Sequence, residues 1–569
     1  MSDTVSKVEG APRAPWPQIL LGAALLAAAT PPAVVPFAEI LMLPGLALWF
    51  ALASGERRPV FASYWLGALH VAAFSWSLRH VTWFGWFAVM ALGGCYYAAV
   101  ALATQRVARR DRVFAPVLAF AAAVAGAAVL RAEMPGIGYP HGQPIHAFYL
   151  MPQLLGCVAI GGEPLGNAML AALAAVVVQL ARAWRLAMPT FARARAAFGL
   201  VALAAAAVTF LGMPVPPSET SAVVDIAAVE PGYHSLDAFD DLRGASAQAY
   251  RQRFVELVKR RLVAPTERVA GRSVDAPPDL VLWPESSVQW SVQRSVDGEL
   301  SFEAMRSAFA LAPNVAVLIG AAIEDEREGF TPAAVLLDAD GRYLGHHEKQ
   351  RLVPGGETLP FVDWLPVDLA RAVREFFATN VGIPDARPGL ALPPLRLPRG
   401  AGTAGEGPAF AGLICYDNAF LNVVADAVDK GAQFVAVVSN ESWYRGGAER
   451  EQLVAITVLA AIATATPIVR CTTDGLTMAV ASDGGILQQL PSAPAPQDDA
   501  RVLRVALPLG DGRLPPITSA HRFFGWLCAA WLAFVAAHAV VPWGRFLRPS
   551  RSAPVGAAAC RRDDPGGGS

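Results

Sequence analysis

Three residues of different chemistry stand at the ends of short apolar runs. Leu280-Val-Leu-Trp-Pro-Glu285 ends a β-type run with a proline that stops the strand and presents a carboxylate. His347-Glu-Lys349 follows a hairpin signal, Asp338-Ala-Asp-Gly341, and leads into Leu352-Val-Pro-Gly-Gly-Glu357. Gly412-Leu-Ile-Cys415-Tyr-Asp417 delivers a thiol at the end of a third run. Taken singly, such residues are a solvated strand end, a surface charge and a buried filler. Taken together they supply three separate needs of acyl transfer. A thiol attacks a carbonyl and holds the acyl group as a thioester. It is only partly ionised at neutral pH, so a base such as Glu285 must take its proton. The tetrahedral intermediate carries an oxyanion, which a fixed cation such as Lys349 would stabilise. The chain has only four lysines, Lys7, Lys259, Lys349 and Lys430, against many arginines. A lysine at this place therefore suggests that a compact point charge is wanted.

The elements that must position these groups read as an α/β domain. β-Branched runs recur at Ala222-Val229, Asp279-Trp283, Asn314-Ile323, Ala333-Leu337, Phe410-Cys415, Phe434-Ser439, Ile468-Cys471 and Val502-Leu507. Helical patterns fall at about 238-264, 301-311 and 447-465, and 384-408 reads as a Pro/Gly-rich loop. This alternation predicts layered sheets and helices over 214-520.

Around this domain the chain is apolar. Only 16% of its 569 residues are charged, against about 25% in typical soluble proteins, and the net charge of −1 argues against a nucleic-acid partner. Apolar stretches at about 17-35, 40-53, 60-78, 82-104, 113-130, 152-180 and 196-213, with one more at 522-543, predict a membrane helical bundle of about eight spans. The second is short and interrupted by Pro44 and Gly45. No cleavable signal peptide is evident, because the first stretch leads straight into further spans. Arginines cluster in the even loops: Arg57 and Arg58; Arg106, Arg109, Arg110 and Arg112; Arg182, Arg185, Arg193 and Arg195; then Arg545 onward. The odd loops hold only Arg79 and Arg131. Cytoplasmic loops carry the basic excess, so both termini are expected in the cytoplasm and 214-520 on the opposite, periplasmic face. The expected divisions are a polar segment 1-14, a seven-span bundle 15-213, the catalytic domain 214-520, a last span 521-544 and a disordered tail 545-569. The six cysteines show no metal-ligand spacing, and Cys415 and Cys471 are expected as free thiols.

The sequence WPE, then KxxLVPxGE, then ICYD, resembles the nitrilase superfamily. With the flanking spans it resembles the apolipoprotein N-acyltransferase family over nearly the whole chain. The resemblance implies an αββα sandwich on a membrane bundle in the bacterial inner membrane, acting as a monomer without metal or other cofactor. It implies transfer of an acyl chain from a phospholipid, through a cysteine thioester, to the α-amine of a diacylated lipoprotein. Glu285 would be the base, Lys349 the oxyanion stabiliser and Cys415 the nucleophile. Glu357, Tyr416, Asp417 and Trp443 would orient the site or line it for substrate. Asp417 stands for the family's Glu, and Gly355 for an aromatic. Val229-Glu-Pro-Gly232 stands for VQGN, and Phe239 for a tryptophan. In the helix near 447-466, Leu453, Val458, Ala460, Ala463 and Thr466 occupy positions where charged residues or His are common. That drift leaves a divergent acyltransferase or amidase with another acceptor as the alternative. A non-catalytic lipoprotein-binding scaffold is a third reading, against which the intact Glu285, Lys349 and Cys415 speak.

Overall fold

A computed structural model describes residues 14–32, 35–108, 113–185, 190–214, 219–233, 246–288, 291–294, 300–301, 315–325, 329–380, 386–398, 407–491, 500–515 and 518–540. The predicted polar segment up to residue 13, the helix at 301-311 (from residue 302) and the tail 545-569 lie outside these residues.

The apolar stretches form helices. Four are long and apolar enough to cross a membrane: Trp83–Ala108, Ala115–Glu133, Gly156–Arg185 and Arg193–Leu211. Four more are shorter apolar helices, Trp16–Ala29, Ala38–Ala53, Pro59–Phe74 and Phe523–His538. The first ends six residues before the predicted boundary. Thr30 turns to extended backbone ahead of Pro31 and Pro32, and proline cannot continue a helix, although the hydropathy runs on. Pro44 and Gly45 do not break the second helix. Pro44 sits in the first turn of its α-helical part, Met42–Ala53, where no α-helical hydrogen bond is lost, and a Cβ at Gly45 would lie 2.7 Å from Leu26 Cδ2. The glycine therefore lets the first two helices approach closely.

The two sheets and the helices on their outer faces form a four-layer sandwich. One sheet runs β14 (Arg501–Gly510), β1 (Glu219–Glu230), β2 (Leu280–Leu282), β5 (Ala316–Asp325), with β3 (Ser291–Arg294) and β4 (Leu300–Ser301) beyond the far half of β5. On its other side β5 pairs with β6 (Gly329–Leu337), and β6 with β7 (Tyr343–Glu348). The second sheet runs β13 (Ile486–Gln489), β12 (Met478–Val480), β11 (Ile468–Thr472), β10 (Phe434–Ser439), β9 (Ala409–Ile414), β8 (Leu395–Arg396). Strands β1, β2 and β5 are mutually parallel, as are β9, β10 and β11.

Period-2 alternation sorts the side chains into layers. Ile226, Leu282 and Leu318 from the first sheet meet Phe410, Phe434 and Val469 from the second. The opposite face of the first sheet, with Val229, Trp283 and Ile319, packs on Phe254, Val258 and Leu262. The outer face of the second sheet, with Leu413, Val435 and Val437, packs on the helices Leu421–Asp429 and Glu449–Thr464. This last core is continuous with the membrane bundle, including Phe120, Ala171 and Leu46. Four of the five positions where the helix near 447-466 departs from the resemblance lie in this core. Leu453, Val458, Ala460 and Ala463 are all buried in a helix with almost no solvent face.

Candidate active site

The site forms where parallel strands of both sheets end, the place at which α/β sheets open a crevice. β2 runs into Trp283-Pro284-Glu285, β7 into Lys349, β9 into Cys415 and β10 into Asn440. Glu285 reaches the crevice because β5 carries Gly320 beneath it. A Cβ there would lie 2.3 Å from the Pro284 carbonyl oxygen and 2.5 Å from Glu285 Cα.

Lys349 is fully buried. Its Nζ donates to Glu285 Oε1 at 2.9 Å and to Glu357 Oε1 at 2.6 Å. Burial alone would lower this ammonium; the two facing carboxylates overcome it and hold the group well above its ordinary range. Glu285 Oε2 accepts the Asn440 N–H at 3.0 Å, and Glu357 Oε2 accepts the Val353 N–H at 2.8 Å. Burial raises Glu357, against the pull of Lys349.

Cys415 begins a tight turn, Cys415–Ala419, with φ at 46°. A non-glycine residue in this region is uncommon and marks a backbone held by its surroundings. Burial pushes the thiol far up; Glu285 and Glu357 add to the rise, while Lys349 and a hydrogen bond from Ser439 oppose it. Burial and the two carboxylates thus favour the thiol over the thiolate, and Lys349 favours the thiolate.

Asp417 joins the turn of Cys415 to the loop that follows Lys349. Its Oδ1 accepts the N–H groups of Gln350 at 3.0 Å and Arg351 at 2.7 Å, and its Oδ2 accepts that of Ile414 at 3.3 Å. Burial pushes Asp417 up to about 7, opposed by Lys349 and these three donors. The shorter carboxylate thus serves as a backbone clamp. Tyr416 is buried and donates to the Gly138 carbonyl at 2.8 Å, a contact with the loop after the helix Ala115–Glu133. The structure does not bury Trp443 with these groups. Its ring is 44% exposed, and Tyr444 is the buried aromatic of that turn.

Two further charged residues, not singled out from the sequence, stand behind the cluster. Glu441 and Arg470 form a buried ion pair, and a Cβ at Gly475 would collide with Glu441. A charge in the middle of the apolar run Ile468–Thr472 was the available signal, because a buried strand tolerates one only with a partner. Cys471, in this same strand, is a free thiol, and Cys415 is likewise free.

A cavity of about 300 Å³ opens beside Tyr416, between residues 134–138 and the loop 350–364. Leu352, Leu359, Phe361, Trp364 and Phe420 give it apolar walls. Among the described residues no group of His, Cys, Asp and Glu is arranged to hold a metal ion.

Residues 241–512 match the carbon-nitrogen hydrolase family, and residues 22–177 match the apolipoprotein N-acyltransferase N-terminal domain. The apolipoprotein N-acyltransferase of Geobacter metallireducens is 27% identical over 282 residues, 48% of this chain and 49% of the relative. That of Sinorhizobium medicae is 26% identical over 338 residues, 57% of this chain and 55% of the relative. The chain spans about half the length of the curated relatives it matches. An amidase from Nesterenkonia sp. is 19% identical, covering 55% of this chain and 99% of its own, with a TM-score of 0.32. Fold and matches together define a nitrilase-type domain built onto an apolar helical bundle. In both of these regions the chain resembles the apolipoprotein N-acyltransferases.

Proposed function

We propose that this protein moves an acyl chain from a membrane phospholipid to the N-terminal α-amine of a diacylglyceryl-cysteine lipoprotein, through a thioester on Cys415. The observation that carries the reading is the double contact of Lys349 with Glu285 and Glu357 at the strand ends that also deliver Cys415. In the first half-reaction Glu285 takes the thiol proton as sulfur attacks the ester carbonyl. Lys349 stabilises the oxyanion. The carbonyl–oxygen bond to the glycerol breaks, and the lysophospholipid alcohol leaves with the proton from Glu285. In the second, the acceptor amine attacks the thioester, Glu285 takes its proton, and the thiol is restored. Glu357 and Asp417 hold Lys349 and the turn of Cys415 in register. No step needs a metal or organic cofactor.

The bundle belongs to the mechanism. Both substrates are lipid-anchored, so a site whose helical layer is fused to membrane helices meets them at high local concentration. The arginine-rich even loops support eight spans in an inner membrane with the catalytic domain in the periplasm. The experiment is purified protein with phospholipid and a synthetic diacylated lipopeptide, read by mass spectrometry. Wild type yields a triacylated product and an acyl group on the Cys415 peptide. Cys415→Ala, still folded, yields neither; equal product from both proteins would overturn the proposal.

A further inference from the structure

The cavity beside Tyr416 is lined by one cation among its described residues, Arg351. The one carboxylate in the lining, Asp363, is already paired with Arg374. Arg351 is fixed at both ends. Its backbone N–H is held by Asp417, which also holds the strand end that leads into Cys415. Its guanidinium lies 4.8 Å above the Phe420 ring, and Nη2 contacts Glu133 Oε2 at 3.2 Å. The side chain remains 33% exposed.

We propose that Arg351 binds the phosphodiester of the acyl donor, and this rests on the acyl-transfer reading above. A planar guanidinium offers paired donors that match a phosphate, and it is weakly hydrated enough to sit against apolar walls. The neighbouring Leu352, Phe361, Trp364 and Phe420 accept hydrocarbon. A lipid with a single anionic group next to its acyl chains fits this lining. The diacylglyceryl acceptor has no phosphate, so Arg351 selects for the donor half-reaction. Glu133 lies at the end of the helix Ala115–Glu133 and serves as the counter-charge when no lipid is bound.

The test uses full-length protein in detergent and two acyl donors, phosphatidylethanolamine and p-nitrophenyl palmitate, the second without phosphate. Acylation of Cys415 is followed for wild type, Arg351→Gln, Arg351→Lys and Glu133→Gln. Arg351→Gln lowers the ratio of kcat/KM for phospholipid over the ester on the order of 10- to 100-fold, mainly through KM, and Arg351→Lys restores part of it. Glu133→Gln, which frees Arg351 of its counter-charge, does not lower the ratio. If Arg351→Gln lowers both donors equally, or Glu133→Gln collapses the ratio as well, the pair is only a latch between bundle and domain, and the proposal is overturned with the acyl-transfer reading intact. Wild type that forms no acyl-enzyme with either donor overturns both. Inorganic phosphate that competes with phospholipid in wild type but not in Arg351→Gln marks a site open to free phosphate; the same selectivity change without competition marks one that needs the lipid.

Discussion

Glu441 and Arg470 form an ion pair in which neither side chain reaches solvent. Its neighbours lead to both halves of the site. The residue before Glu441 gives its N–H to Glu285. Arg470 donates through Nη1 to Thr457 Oγ1 at 2.9 Å, and the same oxygen accepts Asn418 Nδ2 at 2.8 Å, within the turn of Cys415. Glu285 and the turn of Cys415 are thus backed by one buried network.

Removing either partner leaves an uncompensated charge out of water. Glu441→Gln or Arg470→Met should therefore destabilise the protein by about 3–5 kcal/mol. Thermal unfolding in detergent checks this, and a double-mutant cycle separates the pair from its single losses. A change under about 1 kcal/mol in both single variants would show that the pair behaves like a surface bridge.

Gly320 makes a second test of how Glu285 is held. Alanine there would put a methyl group into the Pro284–Glu285 backbone. Overpacking of this kind costs about 1–3 kcal/mol, and the strand end is what must move. Gly320→Ala should lower the rate of Cys415 acylation by an order of magnitude or more, while Gly412→Ala, whose nearest contact is a softer 3.3 Å, should lower it less. Single-turnover acylation compares them, and equal rates for the two variants would remove Gly320 from the account.

Glu285, Lys349, Glu357 and Cys415 could be read in the sequence because each ends a strand or follows a turn, where a reactive side chain has a local signature. Their meeting follows from parallel strands ending together. For the Glu441–Arg470 pair the one signal was a charge inside an apolar run, which does not name its partner, and Gly320 had no signature at all. The pair spans two strands of one sheet, and Gly320 matters only through the segment beside it. The helix Val367–Asn380 was missed because the prolines and mixed polarity on either side masked its period. The short hairpin Met478–Val480 with Ile486–Gln489 offers too few residues for alternation to show. Tyr343–Glu348, rich in His and Glu, shows no β-branched run, yet it follows the hairpin turn and pairs with β6. In the bundle, hydropathy located the apolar helices, yet backbone chemistry at Thr30-Pro31-Pro32 decided where the first one stops.

The two central thiols should differ in reactivity. Cys415 is 8% exposed beside a cavity-lining tyrosine, while Cys471 is sealed, with its sulfur against the carbonyls of Val229 and Leu282. Burial raises both thiols. Iodoacetamide should alkylate Cys415 well before Cys471, at a rate still climbing with pH at pH 9, since the thiolate is the nucleophile. Peptide mapping reads both sites. Labelling of Cys415 no faster than Cys471 would favour a non-catalytic scaffold.

Glu449 sets a pH dependence of stability. It opens the helix Glu449–Thr464, is fully buried, and neither carboxylate oxygen has a hydrogen-bond partner. Burial pushes it up to about 8, although its own N–H and that of Leu78 lie close enough to oppose the rise. In the unfolded chain the same group titrates near 4.5. Below that pH both states hold the proton, and the contribution is at its full value. Between about 4.5 and 8 the unfolded carboxylate ionises while the folded one does not, so the native state binds more protons and stability falls as pH rises. Above about 8 both are ionised and the loss levels off. Glu449→Gln keeps the shape and cannot ionise. It should match wild type near pH 4, flatten the decline across this window and be the more stable protein at pH 9. Thermal melts of both proteins from pH 4 to 9 measure the difference, and parallel curves would show that Glu449 finds a cationic or donor partner in the folded protein.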